Sequence, residues 1–426
     1  MNRPLRKKMV YALIGLLAVA FGWFLKAMSH ATVELTEGGV YHRIYIPIGS
    51  QSIAWRADLA IQANRPNIRS IQGPIVEHTS DGAYRVSWYC GAKKQRQEIS
   101  DTKISLDCGD VNRRYYWQVN PEPVKQAPAS SNTLVISDLE GNLDYFLEWG
   151  QSVGVLDAHG NWALGEGQLV ILGDSVDRGR RVFDLLWKLY ELEIQAARAG
   201  GALHLLLGNH EQYVLQGQLS KVETEHLWAT EQLMPYQSAY SENSVLGAWL
   251  RSKPIALILN KSLFVHGGIS QQALDQNLSI DRWNELHRTA LQASDFSEET
   301  LFGLRSFTQY RGYFYATSAY PKASQAHIDA TLRQYNVDQL VVGHTKVDSI
   351  STQLRTGLYA IETADKTDEY LQIIDGNPTV KRSGVIKRPF HDTNMAIRPF
   401  ELKAGSDWKA FVGVFTTAIR SALTKF

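Results

Sequence analysis

Cysteine is scarce in this chain: two residues in 426, alongside five methionines and thirteen prolines. Cys90 and Cys108 are too few and too far apart for a structural zinc site, whose thiolates come in close pairs. One disulfide or two buried thiols remain. Charge of a single sign is also lacking, since 44 Lys and Arg face 43 Asp and Glu for a net +1. That balance removes the basic excess expected of a nucleic-acid or polyanion binder, and no nucleic-acid partner is expected. Low-complexity tracts and internal repeats are missing, which excludes a disordered scaffold and a solenoid. Long hydrophobic runs are missing too, except at the start.

Residues 9–25 carry no charge, follow Arg3, Arg6, Lys7 and Lys8, and end at Lys26. The run is longer than most signal-peptide cores and at the short limit for spanning a bilayer. Ser29, His30 and Ala31 put small residues where a signal peptidase cuts. Residues 1–31 therefore read as a membrane anchor or a signal segment. Either way the basic flank stays in the cytoplasm and everything after Lys26 is exported. The expected location is an inner membrane, facing the periplasm, or the periplasm itself once the leader is cleaved.

Residues 32–120 read as a small all-β domain of unspecified partner. They are rich in β-branched and aromatic runs broken by turn signals. Tyr84, Val86, Trp88 and Cys90 alternate with Arg85, Ser87 and Tyr89, and Ile104, Leu106 and Cys108 alternate with Lys103, Ser105 and Asp107. The polar stretch GAKKQRQEISDT lies between them and reads as a reversal. If these two strands pair, a disulfide is within reach and suits an oxidising compartment. Residues 121–131 read as a linker. Residues 132–376 alternate strand and helix patterns, with helices expected at 143–153, 181–199, 211–219 and 326–335, so a layered α/β domain is expected. Residues 377–426 form an extension ending in an amphipathic helix. Its apolar stripe is Trp408, Phe411, Phe415, Ile419, Leu423 and Phe426, with Asp407 as N-cap.

Five apolar runs in this α/β region each stop at a residue able to bind a metal. NTLVIS ends at Asp138, GQLVILG at Asp174, ALHLLLG at Asn209, SLFV at His266 and DQLVVG at His344. In layered α/β domains ligands gather at the carboxyl ends of strands, so these side chains should converge, with Glu140 beside Asp138. Oxygen and imidazole donors without thiolate suit manganese, iron or zinc. Two such ions clamp a phosphoryl group and acidify a water, which is the chemistry of phosphoester hydrolysis.

GDSVDRG (173–179), GNHE (208–211), HGG (266–268) and GHT (343–345) occur in that order. Together they resemble the calcineurin-like metallophosphoesterases, and more narrowly the phosphoprotein-phosphatase branch with its bacterial and Shewanella-like members. The resemblance implies that fold, a β-sheet sandwich flanked by helices, over about residues 132–374. It implies two divalent ions, with manganese favoured and iron or zinc as alternatives. The first is held by Asp138 with Glu140, Asp174 bridges both, and Asn209, His266 and His344 hold the second. It further implies His210 as the general acid, Asp177 orienting it, and Arg178 and Arg311 gripping the phosphoryl oxygens. Glu140 departs from the family, which normally has histidine there. An anionic ligand at that point favours harder ions, Mn²⁺ or Mg²⁺, and a somewhat alkaline optimum. The expected activity is a metal-dependent phosphomonoester hydrolase, serine/threonine or tyrosine phosphatase-like, directed at phosphoproteins rather than small molecules. The alternatives are a nucleotide or dinucleoside-polyphosphate hydrolase, and a membrane-tethered module that binds phosphorylated ligands with little turnover.

Overall fold

A computed structural model describes residues 3–56, 66–118, 132–350, 355–388 and 395–413. The expected linker at 121–131 and the stripe residues Phe415, Ile419, Leu423 and Phe426 lie outside them. The chain forms two compact units. One comprises residues 1–70, 90–93 and 391–426; the other comprises residues 71–89 and 94–390. The strands expected together between 32 and 120 are therefore shared between the units, and part of the C-terminal extension belongs to each.

The first unit begins with the helix Arg3–Ser29, 27 residues or about 40 Å long. Its segment Tyr11–Ser29 is long and apolar enough to cross a membrane. Tyr11 is 70% and Trp23 69% exposed, whereas Met28 in the last turn is buried. Met28 and Ala31 are buried with Val33, Tyr41, Ile44, Phe400 and Ala410, and Phe24, Ala27, Trp408 and Phe411 pack against them. Thr32–Leu35 lies between Tyr41–Ile48 and Ala396–Pro399 in an antiparallel sheet, with Gln51–Arg56 outside Tyr41–Ile48. Residues 405–413 are helical, so Asp407 sits inside the first turn and is not the N-cap. Its carboxylate accepts instead from Tyr41 Oη at 2.6 Å and from both terminal nitrogens of Arg398.

The second unit is built around two larger sheets. Asn132–Ile136, Gln168–Ile171 and Ala202–Leu205 run parallel and in register, Ile136 beside Ile171 beside Leu205. Glu369–Ile374 pairs antiparallel with Asn132–Ile136, and Asn377–Arg382 completes five strands through a tight hairpin. The other sheet is Ala256–Leu259, Ser262–Val265, Gln339–Val342 and Leu358–Ala360, the last three parallel. Val135, Val170 and Leu206 meet Phe264, Val341 and Ile361 in the core between the sheets. Strands buried on both faces read as unbroken apolar runs, which is why these were visible in the sequence. Asn142 caps the helix Leu143–Ser152 by accepting from Tyr145 N at 3.2 Å. The helix Val182–Arg198 buries Leu185, Leu189, Leu192 and Ala196 along one face.

The mixed fold agrees with the sequence reading, and both cysteines are disulfide-bonded. The strand pairing differs from expectation. Tyr84–Gly91 pairs with Ile68–His78 and Lys93–Ile99, while Lys103–Cys108 pairs with Val111–Tyr116. The stretch read as a reversal is therefore itself a strand. KKQRQEI is exposed almost throughout, so it carries no apolar alternation to reveal it. These strands pack on the helices of the same unit. Trp187 Nε1 donates to Pro74 O at 2.9 Å, Arg113 meets Asp184 at 2.8 Å, and Tyr89 stacks edge-on against Trp228.

His226, on the helix Thr224–Leu233, joins this contact. It is fully buried, its Nδ1 lies 2.9 Å from Gln72 Oε1, and its ring abuts Phe183 and Tyr236. Desolvation pushes its pKa down to about 3. The unfolded chain, with histidine near 6.5, takes up the proton first. Stability is thus full above pH ~6.5 and falls as the pH drops toward ~3, by about 1.4 kcal/mol per pH unit for each such histidine. Chemical unfolding between pH 7 and 4 should show this acid loss. His226→Gln should lower its slope by about one proton; an unchanged slope would mean that His226 does not carry it.

Candidate active site

The in-register strands end together, and the residues that follow them meet at one edge. Asp138 follows Asn132–Ile136, Asp174 follows Gln168–Ile171, His266 follows Ser262–Val265 and His344 follows Gln339–Val342. Asn209 opens the helix Asn209–Leu215. The turns between are pinned to one another: Asp138 N donates to Gly173 O, Glu140 N to Asp174 O and Gly141 N to Ser175 O. Asp138, Glu140, Asp174, Asp177, Arg178 and His344 all have positive φ, between 50° and 67°. Side chains rarely adopt that region, so the packed strands beneath must hold these turns in place.

Asp174, His266 and His344 are buried, and one ligand atom of each lies within 4.8 Å of the others. Asp174 Oδ2 is 3.1 Å from His266 Nε2, and Asn209 Oδ1 is also 3.1 Å from that nitrogen. His266 Nδ1 faces the Leu172 carbonyl, which only accepts, so Nδ1 carries a proton. Either a proton on Nε2 or a cation must then stand between this nitrogen and the two oxygen acceptors, and the oxygen and imidazole donors gathered here fit a divalent metal. The titration of His266 reflects the same field. Burial pushes the imidazole down, but Asp174 beside it, with Asp138, raises it to about 9. Desolvation works against the Asp174 anion, yet His266 and His210 hold its pKa well below the carboxylate range. His344 goes the other way, pushed well down by burial and then by His266 and Arg311.

His210 stands beside the trio, its Nε2 3.8 Å from Asp174 Oδ2 and its N–H donating to Asp174 Oδ1 at 2.9 Å. Its Nδ1 donates to Asp177 Oδ2 at 2.8 Å. Burial lowers the His210 pKa, but Asp174 and the bond to Asp177 leave it raised overall. Arg178 Nη2 approaches His210 Nε2 at 3.2 Å. Arg311 donates to the His344 carbonyl at 3.1 Å and approaches its Nδ1 at 3.4 Å. Asp138 Oδ2 accepts from Ser137 Oγ and from His344 N.

Glu140, expected among the ligands, is not one of the trio. Its Oε1 takes Arg178 Nη1 at 2.5 Å, and its Oε2 lies 4.0 Å from Lys387 Nζ. Burial raises the Glu140 pKa against the pull of Lys387 and Arg178. Lys387 also donates to Asp138 O at 2.6 Å and to Glu362 Oε1 at 3.1 Å. Burial works against this ammonium, but Glu362, Glu140 and Asp138 hold its pKa above the ordinary lysine range. Lys387 and Glu362 gave no signal in the sequence, because neither lies in a motif or a periodic run.

Glu211 was also missed, although it ends GNHE. It is fully buried. Its Oε2 accepts from Asp174 N and Gly208 N, and its Oε1 from Ser175 N and Val176 N. A glutamate at the third position of a helix is a capping signal that would have found it. Gly208 must be glycine, since a Cβ there would stand 2.2 Å from Asp174 Oδ1.

The calcineurin-like phosphoesterase family pattern matches residues 131–348. Shewanella-like protein phosphatase 2 of Arabidopsis thaliana is 33% identical over 101 residues, 22% of this chain and 26% of its own. Shewanella-like protein phosphatase 1 of Plasmodium berghei is 25% identical over 229 residues, 51% of this chain and 61% of its own. The chain thus spans about a quarter of the plant relative and under two thirds of the Plasmodium one. The solved cold-active protein-tyrosine phosphatase of a psychrophilic Shewanella species superposes with a TM-score of 0.67 at 30% identity, covering 76% of this chain and 100% of that one. With the strand ends, the buried donors and the family pattern all falling in one region, this chain belongs to the calcineurin-like phosphoesterases.

Proposed function

We propose that the chain is a metal-dependent phosphomonoester hydrolase acting on phosphoproteins. The observation that carries this is a histidine braced by Asp177 and set 3.8 Å from the carboxylate of a buried Asp–His–His trio. Asp174, Asn209, His266 and His344 would hold the ion, and their two-oxygen, two-imidazole set suits manganese, with iron or zinc as alternatives. When bound there, a divalent ion supplies Lewis acidity toward a phosphoryl oxygen and makes water more acidic. The resemblance implies a pair of ions; the side chains that come within 4.8 Å of one another are Asp174, His266 and His344.

The side chains divide the remaining work. Asp177 fixes the Nδ1 proton of His210, so that Nε2 is the atom that delivers a proton to the leaving oxygen. In the substrate-free geometry Arg178 Nη2 donates to that same nitrogen. A phosphoryl group, the better acceptor, draws the guanidinium off and leaves Nε2 open to protonation. Substrate binding thereby arms the acid. Arg311 reaches the site from the His344 side. Protein substrates are favoured because the similar proteins are named as protein phosphatases.

The anchored reading of the leader also gains support. Cleavage after Ala31 would strip Phe24, Ala27, Met28 and Ala31 from the core of the first unit. Each large apolar side chain buried there contributes roughly 1.5–3 kcal/mol. The chain is therefore proposed to keep its helix and to face the periplasm from the inner membrane.

His210→Asn should lower kcat on a phosphopeptide by about 10²–10⁴-fold, and Asp174→Asn should remove both bound metal and turnover. Full activity in Asp174→Asn would sink the assignment, while metal binding with no turnover in wild type would favour a binding module. In a panel of phosphoserine, phosphothreonine and phosphotyrosine peptides against nucleotides and dinucleoside polyphosphates, kcat/KM should be highest for a peptide; a nucleotide at the top would select the alternative hydrolase. Intact-mass measurement of the membrane-extracted protein should find residues 1–31 present, and a chain starting at Thr32 would refute the uncleaved anchor.

A further inference from the structure

Outside the trio, a second set of charges fills the site beside Asp138. Three carboxylates lie there: Asp138, Glu140 and Glu362. Two cations meet them. Lys387 Nζ donates to Asp138 O and Glu362 Oε1 and lies 4.0 Å from Glu140 Oε2, while Arg178 holds Glu140 Oε1. The Lys387 side chain is 9% exposed and that of Glu362 4%, so neither charge is left to solvent. Among the described residues, Asp174, His266 and His344 are the one group of three or more His, Cys, Asp or Glu side chains close enough to share an ion. A second divalent ion at Asp138 and Glu140 would have to settle against an ammonium already bonded to the Asp138 backbone. Like charges at that range repel strongly where burial weakens screening.

We propose that Lys387 is a built-in replacement for the second metal ion. The chain then binds one divalent cation, through Asp174, Asn209, His266 and His344, and the Lys387 ammonium with the Arg178 guanidinium neutralises Asp138, Glu140 and Glu362. This rests on the phosphoesterase reading of the trio. It also assigns a purpose to Glu140. A carboxylate serves where the neighbouring cations are an ammonium and a guanidinium, because it carries the opposite charge and offers one oxygen to the guanidinium while the other faces the ammonium, whereas a neutral imidazole offers a single acceptor nitrogen. Lys387 comes from the segment that follows the last hairpin of the five-stranded sheet. The chain therefore supplies this charge permanently instead of drawing it from solution.

The test is the metal content of the full chain at equilibrium. Dialysis against manganese, counted by elemental analysis, should give one ion per wild-type chain. Electron paramagnetic resonance should show an isolated Mn²⁺, without the coupled signal of a close pair. Lys387→Met removes the ammonium and should raise the count to two, with the coupled signal appearing; Lys387→Arg should stay at one. Two coupled ions in wild type would overturn the inference and leave the phosphatase reading standing. No bound ion would overturn both. A count that stays at one in a folded Lys387→Met protein would also overturn it, since the ammonium would then not be what excludes the second ion. Should Lys387→Met not fold, the wild-type count alone decides.

Discussion

Everything in the site depends on keeping one carboxylate, Asp174, charged inside protein. It is 2% exposed, and an anion so far from water costs several kcal/mol unless partners replace its hydration. The fold supplies them from three directions. His266 comes from the other sheet, His210 N–H from the helix opened by Asn209, and the cation that the donor set fits would come from solution. Because those partners start on different strands, the anion also couples the strand ends to one another. The sheets place the carboxylate, and the carboxylate fixes where the loops can close.

That closure is strained. Six site residues sit in the left-handed region of backbone space, each costing of order 1–3 kcal/mol. Glu211 helps to offset this by collecting four backbone N–H groups from the Asp174 turn and the Gly208 turn. A buried glutamate used this way acts as a rivet between two loops. Gly173 and Gly208 stand back to back beneath it, where a Cβ on Gly173 would come within 2.4 Å of Gly208 N. The strands between Ile68 and Tyr116 belong to the same problem. Through Trp187, Asp184 and Gln72 they brace the helices Val182–Arg198 and Thr224–Leu233, and the first of these follows directly from the turn that carries Asp177 and Arg178. Rigidity at the site is thus built well outside it.

The sequence disclosed what is periodic and hid what is not. Parallel strands buried on both faces appear as apolar runs, and three of the residues expected at their ends, Asp174, His266 and His344, come within 4.8 Å of one another. The helices 143–153 and 326–335 were visible for the same reason and stand at Leu143–Ser152 and Gln325–Tyr335. Lys93–Ile99 was invisible because an exposed edge strand needs only backbone partners and imposes no pattern on its side chains. The helix Ile280–Ala293 was passed over although Ile280, Trp283, His287 and Leu291 line its buried face at helical spacing. Lys387 was beyond reach for a deeper reason. A single charge arriving from a distant irregular segment is fixed by tertiary packing alone, and no local rule encodes it.

Glu140 shows why a motif cannot be judged by one position. Read in isolation, a carboxylate where the family has histidine suggests either an altered ligand or a decaying site. Decay predicts a charge left without partners, because burying an ion and removing its counter-ion costs about 3–5 kcal/mol. The opposite is found. Glu140 has a guanidinium on one oxygen and an ammonium facing the other, the ammonium is shared with Glu362, and the guanidinium reaches on to His210. Four charged side chains from four separated stretches of chain are mutually satisfied, and Arg178 also reaches His210. A change at position 140 therefore acts first on Arg178 and through it on His210.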